Sequence, residues 1–207
     1  MTQIITTITF FICSMVTAQI QYDQGMGKAL DLWKGGKSDE ASALFEQIAS
    51  AEKDNYLPNY YVALINTTEA FKPVNKAIIA SLLAKANAAL DTELAKAPNN
   101  VELLVVKAMA KTALLASDPM AYGITLSSEI SEIFLRASLL APENPRVVFC
   151  KAEFEIGGAR WTGVDVQQLC AQVEKSIDLF TKFKPETPFS PSWGLDRAKE
   201  TFKNCGN

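Results

Sequence analysis

One spacing recurs four times along this chain. A small or apolar residue is followed four positions later by a bulky one, and eight positions after that by a residue that ends a helix. The instances are Ala41-Phe45-Lys53, Ala86-Leu90-Pro98, Ile130-Phe134-Pro142 and Val173-Ile177-Pro185. The closing members lie 45, 44 and 43 residues apart, and Ala63, Ala108 and Ala152 stand ten residues beyond the first three. Such a period restricts the chain to stacked helical hairpins, because a single hairpin cannot bury its apolar face alone. No segment alternates apolar and polar residues for long, so no sheet is expected.

The apolar stripes and the helix breakers divide the chain further. A first helix over 22–33 ends at Gly35-Gly36, and Ser38 is expected to cap the second, with Asp39 and Glu40 complementing its dipole. Further helices are expected at about 58–70, 75–96, 101–115, from 127 or 128 to 140, at 146–156, 165–182 and 193–204. Ala29 precedes its partner anchor Ala41 by 12 residues. In the later pairs the interval is 23, 22 and 21, from Ala63 to Ala86, Ala108 to Ile130 and Ala152 to Val173. About ten residues are therefore inserted within each later hairpin.

Composition narrows function mainly by exclusion. Of 207 residues, 48% are apolar and 21% charged, the balance of a globular domain. A net charge of −3 leaves no basic footprint for nucleic acid. The chain has no histidine, which removes the usual general base and the commonest zinc ligand together. No catalytic residue, metal ligand or cofactor site is assigned, and the expectation is a protein that is not an enzyme.

Residues 1–18 are expected to be a signal peptide. An apolar run from Ile4 to Val16 leads to Val16-Thr17-Ala18, a small-x-small pattern before a cut, and Gln19 would become the first residue of a single domain over 19–207. The run is too short to span a bilayer comfortably, and no Lys or Arg precedes it. Phe10-Phe11-Ile12 before Cys13 does not suit a lipoprotein signal. The mature protein is thus expected in the periplasm or secreted, without stable membrane insertion.

Three cysteines remain. Cys170 lies on the stripe Val166-Leu169-Cys170-Val173-Ile177-Phe180, and Cys205 on the stripe Ala198-Thr201-Phe202-Cys205. Both face inward from helices that neighbour each other in a hairpin stack, so a Cys170–Cys205 bridge is expected, with three buried thiols as the other reading. Cys150, inside the apolar run Val147-Val148-Phe149, is expected to be a buried free thiol.

Ala41-x3-Phe45 with a helix stop eight residues later resembles the second half of a tetratricopeptide (TPR) repeat, as does Ile130-x3-Phe134 with Pro142. The chain is similar to the small TPR-like proteins exported by Gram-negative bacteria. At the family's first-helix positions stand Leu104, Lys107-Ala108 and Lys111, or Val148, Lys151-Ala152 and Glu155, so the family's peptide-gripping residues are not carried over. The resemblance implies an all-α, right-handed stack of antiparallel helix hairpins, a TPR-like α-solenoid, here with long intra-hairpin loops. In that family the first-helix surface holds extended peptides or partner helices.

Two surfaces follow as candidate binding sites. The intra-pair inserts share one edge and contain Phe71-Lys72-Pro73, Asp118-Pro119-Met120-Ala121-Tyr122-Gly123 and Gly157-Gly158-Ala159-Arg160-Trp161-Thr162-Gly163. Arg160, Trp161 and Tyr122 supply a charge and flat apolar surface of the kind enriched at binding hot spots, although Trp161 could equally fold back over the stack. The second surface is the first-helix face with Tyr60, Tyr61, Lys107 and Lys151, where the tyrosines could equally be core and rim. Asn66-Thr67-Thr68 fits a glycosylation sequon, although short sequons arise by chance and this one lies in an expected helix. The expected function is a protein–protein interaction module of the cell envelope with a protein or peptide partner. The alternative is a protein binding a small ligand or cell-wall fragment, which calls for a closed apolar pocket.

Overall fold

The computed structural model describes residues 19–205, so the segment expected to be a signal peptide lies outside the described residues. Those residues form nine helices and one 3-10 turn, with no strand among them. They are α1 (19–34), α2 (Ser38–Ala51), α3 (Leu57–Ala70), a 3-10 turn (Pro73–Ile78), α4 (Ile79–Lys96), α5 (Val101–Ser117), α6 (Pro119–Leu140), α7 (Pro145–Thr162), α8 (Val166–Lys182) and α9 (Leu195–Asn204). Helix α3 packs on α4, α5 on α6 and α7 on α8, while α3 meets α5 and α5 meets α7 to join the hairpins into a row.

The repeated small residues are what let these helices approach. Ala29, Ala63 and Ala108 on the first helices are fully buried, and Ala152 nearly so; their partners Ala41, Ala86, Ile130 and Val173 are fully buried as well. Phe45, Leu90 and Phe134 fill the space between pairs, and the Phe45 ring stacks on Tyr61 at 5.0 Å. In the last hairpin Ile177 is only partly buried, and Phe180 takes the inward position.

Asparagine turns the chain between hairpins. Asn55, Asn100 and Asn144 each donate a backbone N–H to the carbonyl three residues back, at 3.0–3.1 Å. Each side-chain oxygen then accepts from the N–H groups opening the next helix: Leu57 for Asn55, Leu103 for Asn100, Arg146 and Val147 for Asn144. Those N–H groups have no partner within their own helix, so the side chain satisfies donors that would otherwise be orphaned. Asp118 and Asp165 cap α6 and α8 in the same way.

Two expectations are corrected here. Ser38 does not cap α2: Lys37 holds the cap position without a side-chain bond, and the Ser38 hydroxyl donates to Glu69 Oε1 of α3 at 2.5 Å. The long intra-hairpin loops are mostly helix. Residues 119–126 form the opening turns of α6, begun by Pro119 behind the Asp118 cap, and α7 runs through Gly157-Gly158 to Thr162. Proline is pre-set for a first helical position. Two glycines cost about 2 kcal/mol of propensity, and buried Ala159 keeps that end of α7 packed.

The last helix is tied down covalently. Cys170 and Cys205 form a disulfide with Cα atoms 5.8 Å apart, and Cys150 is a buried free thiol whose pKa burial pushes up strongly. Arg197 of α9 donates to Glu153 of α7 at 2.8 Å.

Candidate functional site

In an antiparallel stack the α3–α4, α5–α6 and α7–α8 turns lie along one edge. Each of these three tips exposes two large apolar side chains: Val74 and Ile78, then Met120 and Ile124, then Trp161 and Val164. Exposure reaches 95% at Ile124, 89% at Met120, 85% at Val74 and 71% at Trp161. Scattered exposed apolar residues are ordinary, but here three successive tips on one edge each bear a pair of them, and exposed apolar surface of this kind is what interaction sites use. Gly163 shapes the third tip, closing α7 at φ 71° with its N–H on Ala159 O at 2.9 Å.

The residues singled out from sequence divide between this edge and the interior. Trp161 and Tyr122 sit at the edge, Tyr122 partly exposed, and Arg160 lies beside Trp161 in the chain. Tyr60 and Tyr61 do not line an open surface: Tyr60 is fully buried and Tyr61 nearly so. The Trp193 indole donates to the Tyr60 hydroxyl at 2.7 Å, and the Tyr61 hydroxyl donates to Phe189 O at 2.9 Å. Burial raises the pKa of both phenols, so they stay neutral donors and acceptors. Lys107 is bonded to Asn87 and Asp91 of α4, and Lys151 to Glu155 of its own helix. Lys107 is thereby turned toward α4.

That face is covered by the chain's own connection between α8 and α9. Phe183 lies 4.4 Å beneath the Arg146 guanidinium, Phe189 meets the Tyr22 ring edge-on at 5.7 Å, and Pro191 is buried. The sequon is closed too. Asn66 is buried, its amide donating to Val62 O at 2.8 Å and Ser42 Oγ at 2.9 Å, so it is out of reach of a glycosyl donor in the folded state.

Val74, Ile78, Ile124 and Val164 were not singled out from sequence, and Met120 was named only as part of its insert. Their signal was present: Met120 and Ile124 fall off the Ile130-Phe134-Ala137 stripe that α6 buries. Two depressions, of about 640 Å³ beside the α1–α2 turn and about 430 Å³ between α2 and α4, are both open to solvent. Neither of the two is the closed apolar pocket expected for a small ligand. Among the described residues no group of three or more His, Cys, Asp or Glu could hold a metal ion, and no helix is long and apolar enough to cross a membrane.

No protein-family model matches the chain, and no curated protein matches it by sequence. Two solved structures share its architecture. The HusA haemophore from Porphyromonas gingivalis superposes with a TM-score of 0.80 at 22% identity, covering 89% of this chain and 92% of that one. A thermophilic TPR protein from Thermus thermophilus superposes with a TM-score of 0.57 at 13% identity, covering 89% and 98%. The fold is TPR-like.

Proposed function

We propose that the chain is an exported, non-catalytic binding protein that takes a flat, mostly apolar ligand of the tetrapyrrole class along its hairpin-tip edge. The observation that carries this reading is the row of exposed side chains Val74, Ile78, Met120, Ile124, Trp161 and Val164 on three consecutive tips. Its kinship in fold with a haemophore, over 92% of that protein's length, supports the ligand class. A disulfide fits an oxidising compartment outside the cytoplasm.

The chemistry of the edge suits such a ligand. Trp161 offers a flat ring for stacking, and the Lys76 ammonium beside Val74 and Ile78 suits a carboxylate. Proteins hold haem iron through His, Cys, Met or Tyr. This chain lacks histidine, so Met120 and Tyr122 are the tip residues with iron-binding side chains.

The test is a titration of haemin, and separately of metal-free protoporphyrin, followed by visible absorbance. Saturable binding is expected to weaken at least ten-fold in Met120→Asp/Ile124→Asp, with helix content unchanged. Met120→Ala and Tyr122→Phe separate iron ligation from stacking. No spectral change with either porphyrin sinks the reading.

One observation favours a second reading, docking of an envelope protein. The outward face of α6 carries Ser128, Ser131, Leu135 and Leu139 in line with Ile124, with exposed Glu132 beside them, and both leucines are exposed. A pull-down from envelope extract that recovers a partner with the wild type and loses it with Leu135→Asp/Leu139→Asp supports this second reading.

A further inference from the structure

The α8–α9 connection meets the first-helix face through Phe189 and Trp193 and also carries hydrogen bonds of its own. The Thr187 N–H donates to Ser190 Oγ at 3.0 Å, the Ser190 N–H donates to Thr187 O at 3.1 Å, and the two hydroxyls pair at 2.9 Å. Residues 184–188 are exposed; Phe189, Pro191 and Trp193 are the side chains that turn inward onto the stack. Their partners are Tyr22 on α1 and Tyr60 and Tyr61 on α3, more than 120 positions upstream.

Both ends of the connection are fixed independently of those contacts. Upstream, Phe183 is stacked under Arg146 of α7. Downstream, α9 is bound by the Cys170–Cys205 disulfide to α8 and by Arg197 to Glu153 of α7. α8 and α9 therefore have anchors of their own that do not depend on the segment between them.

We propose that residues 184–193 are an intramolecular ligand of the first-helix face: a tethered strap that lifts and reseats as a unit and keeps extended peptides off Tyr22, Tyr60 and Tyr61 until it is displaced. The seating has the form of peptide recognition. Two aromatic anchors flank a buried proline, one phenol accepts from the strap's indole, and the other donates to a strap carbonyl. Because both ends are tethered, reseating is intramolecular and runs at an effective concentration of about millimolar. A peptide in trans meets only the lifted fraction, and its apparent affinity falls by that fraction.

This inference goes beyond the tip edge and concerns a different face, so its test is separate. The probe is a synthetic peptide with the sequence of residues 184–193, titrated calorimetrically into wild type and into Phe189→Ala/Trp193→Ala. Binding to the variant is expected to be at least ten-fold tighter than to wild type, with Trp193→Phe between them. A folded variant that fails to bind the peptide, or equal binding to all three proteins, overturns the proposal. Nitration of Tyr61 in wild type across a urea series decides it without any variant. Modification well below the unfolding midpoint is expected, whereas modification only as the helices unfold overturns it.

Discussion

The Arg146 guanidinium grips the Glu102 carboxylate through two parallel bonds of 2.7 Å, Nε to Oε2 and Nη2 to Oε1. The pair joins the first turns of α5 and α7, and Asn144 adds a third donor to Glu102 at 2.7 Å. The Arg146 side chain is fully buried, and its Nη1 has no protein partner. Burial opposes its charge, but the bonds and charge of Glu102 outweigh that and raise its pKa.

Removing one member of such a pair leaves an uncompensated buried charge. Glu102→Ala is expected to cost about 3–5 kcal/mol in urea unfolding, while Glu102→Leu/Arg146→Met recovers most of it. A loss under about 1 kcal/mol in the single variant contradicts this account of the α5–α7 joint.

Gly194 is a position where no other residue fits. Its φ is +116°, and a Cβ built there lies 2.5 Å from Phe180 Cζ. Gly194→Ala should destabilise by at least about 2 kcal/mol, from backbone strain and the clash together. Adding Phe180→Leu should relieve only the clash, so the double variant stays below Phe180→Leu alone in thermal melts.

The disulfide predicts both a thiol count and a stability change. Protein beginning at Gln19 should show one thiol, Cys150, when denatured without reductant, and almost none when native. Cys170→Ser/Cys205→Ser should lose about 3–4 kcal/mol by the loop-entropy account. Three thiols in denatured, unreduced protein contradict the bridge.

Glu69 gives stability a defined pH dependence. Burial alone raises its pKa, but Lys72, Ser38 and Asn75 all donate to its carboxylate, and the net effect is a lowered pKa. The folded carboxyl therefore releases its proton more readily than the unfolded one. Its contribution is complete above the ordinary value of about 4.3 and disappears as pH falls through the lowered one. Glu69→Gln should cost about 1–2 kcal/mol at pH 7 and nothing once both forms are protonated. A difference that persists unchanged at low pH contradicts the assignment.

The repeat was legible because burial imposes it residue by residue. Every alanine that the spacing marked on a first helix is in the core, as is every anchor from Ala41 to Val173. The bridge was legible for the same reason, since helical stripes show which way a cysteine faces. Two helix boundaries were missed although local signals existed. Asp118-Pro119 is a cap followed by a first-turn proline, and it was read as loop because the insert was defined by its length.

The destination of Ser38 and the seat of the strap were not legible. Ser38 bonds a residue 31 positions away, and Tyr60 and Tyr61 meet Trp193 and Phe189 across 133 and 128. Spacing along one helix carries no information about such partners. The tyrosines looked like surface candidates because the segment that covers them has no helical period. The apolar tips were the converse case: the inserts were expected to share an edge, but 119–126 was read as loop, where lying off a helical stripe carries no meaning.

The crosslink from Cys205 back to Cys170 also makes the molecule's two ends unequal. A row of hairpins loses order most easily from whichever terminus is least restrained, and here one terminus is sewn shut. Disassembly under force, heat or protease should therefore start at α1 and α2 and travel toward α8. Cutting that one sulfur link would let it start from either side.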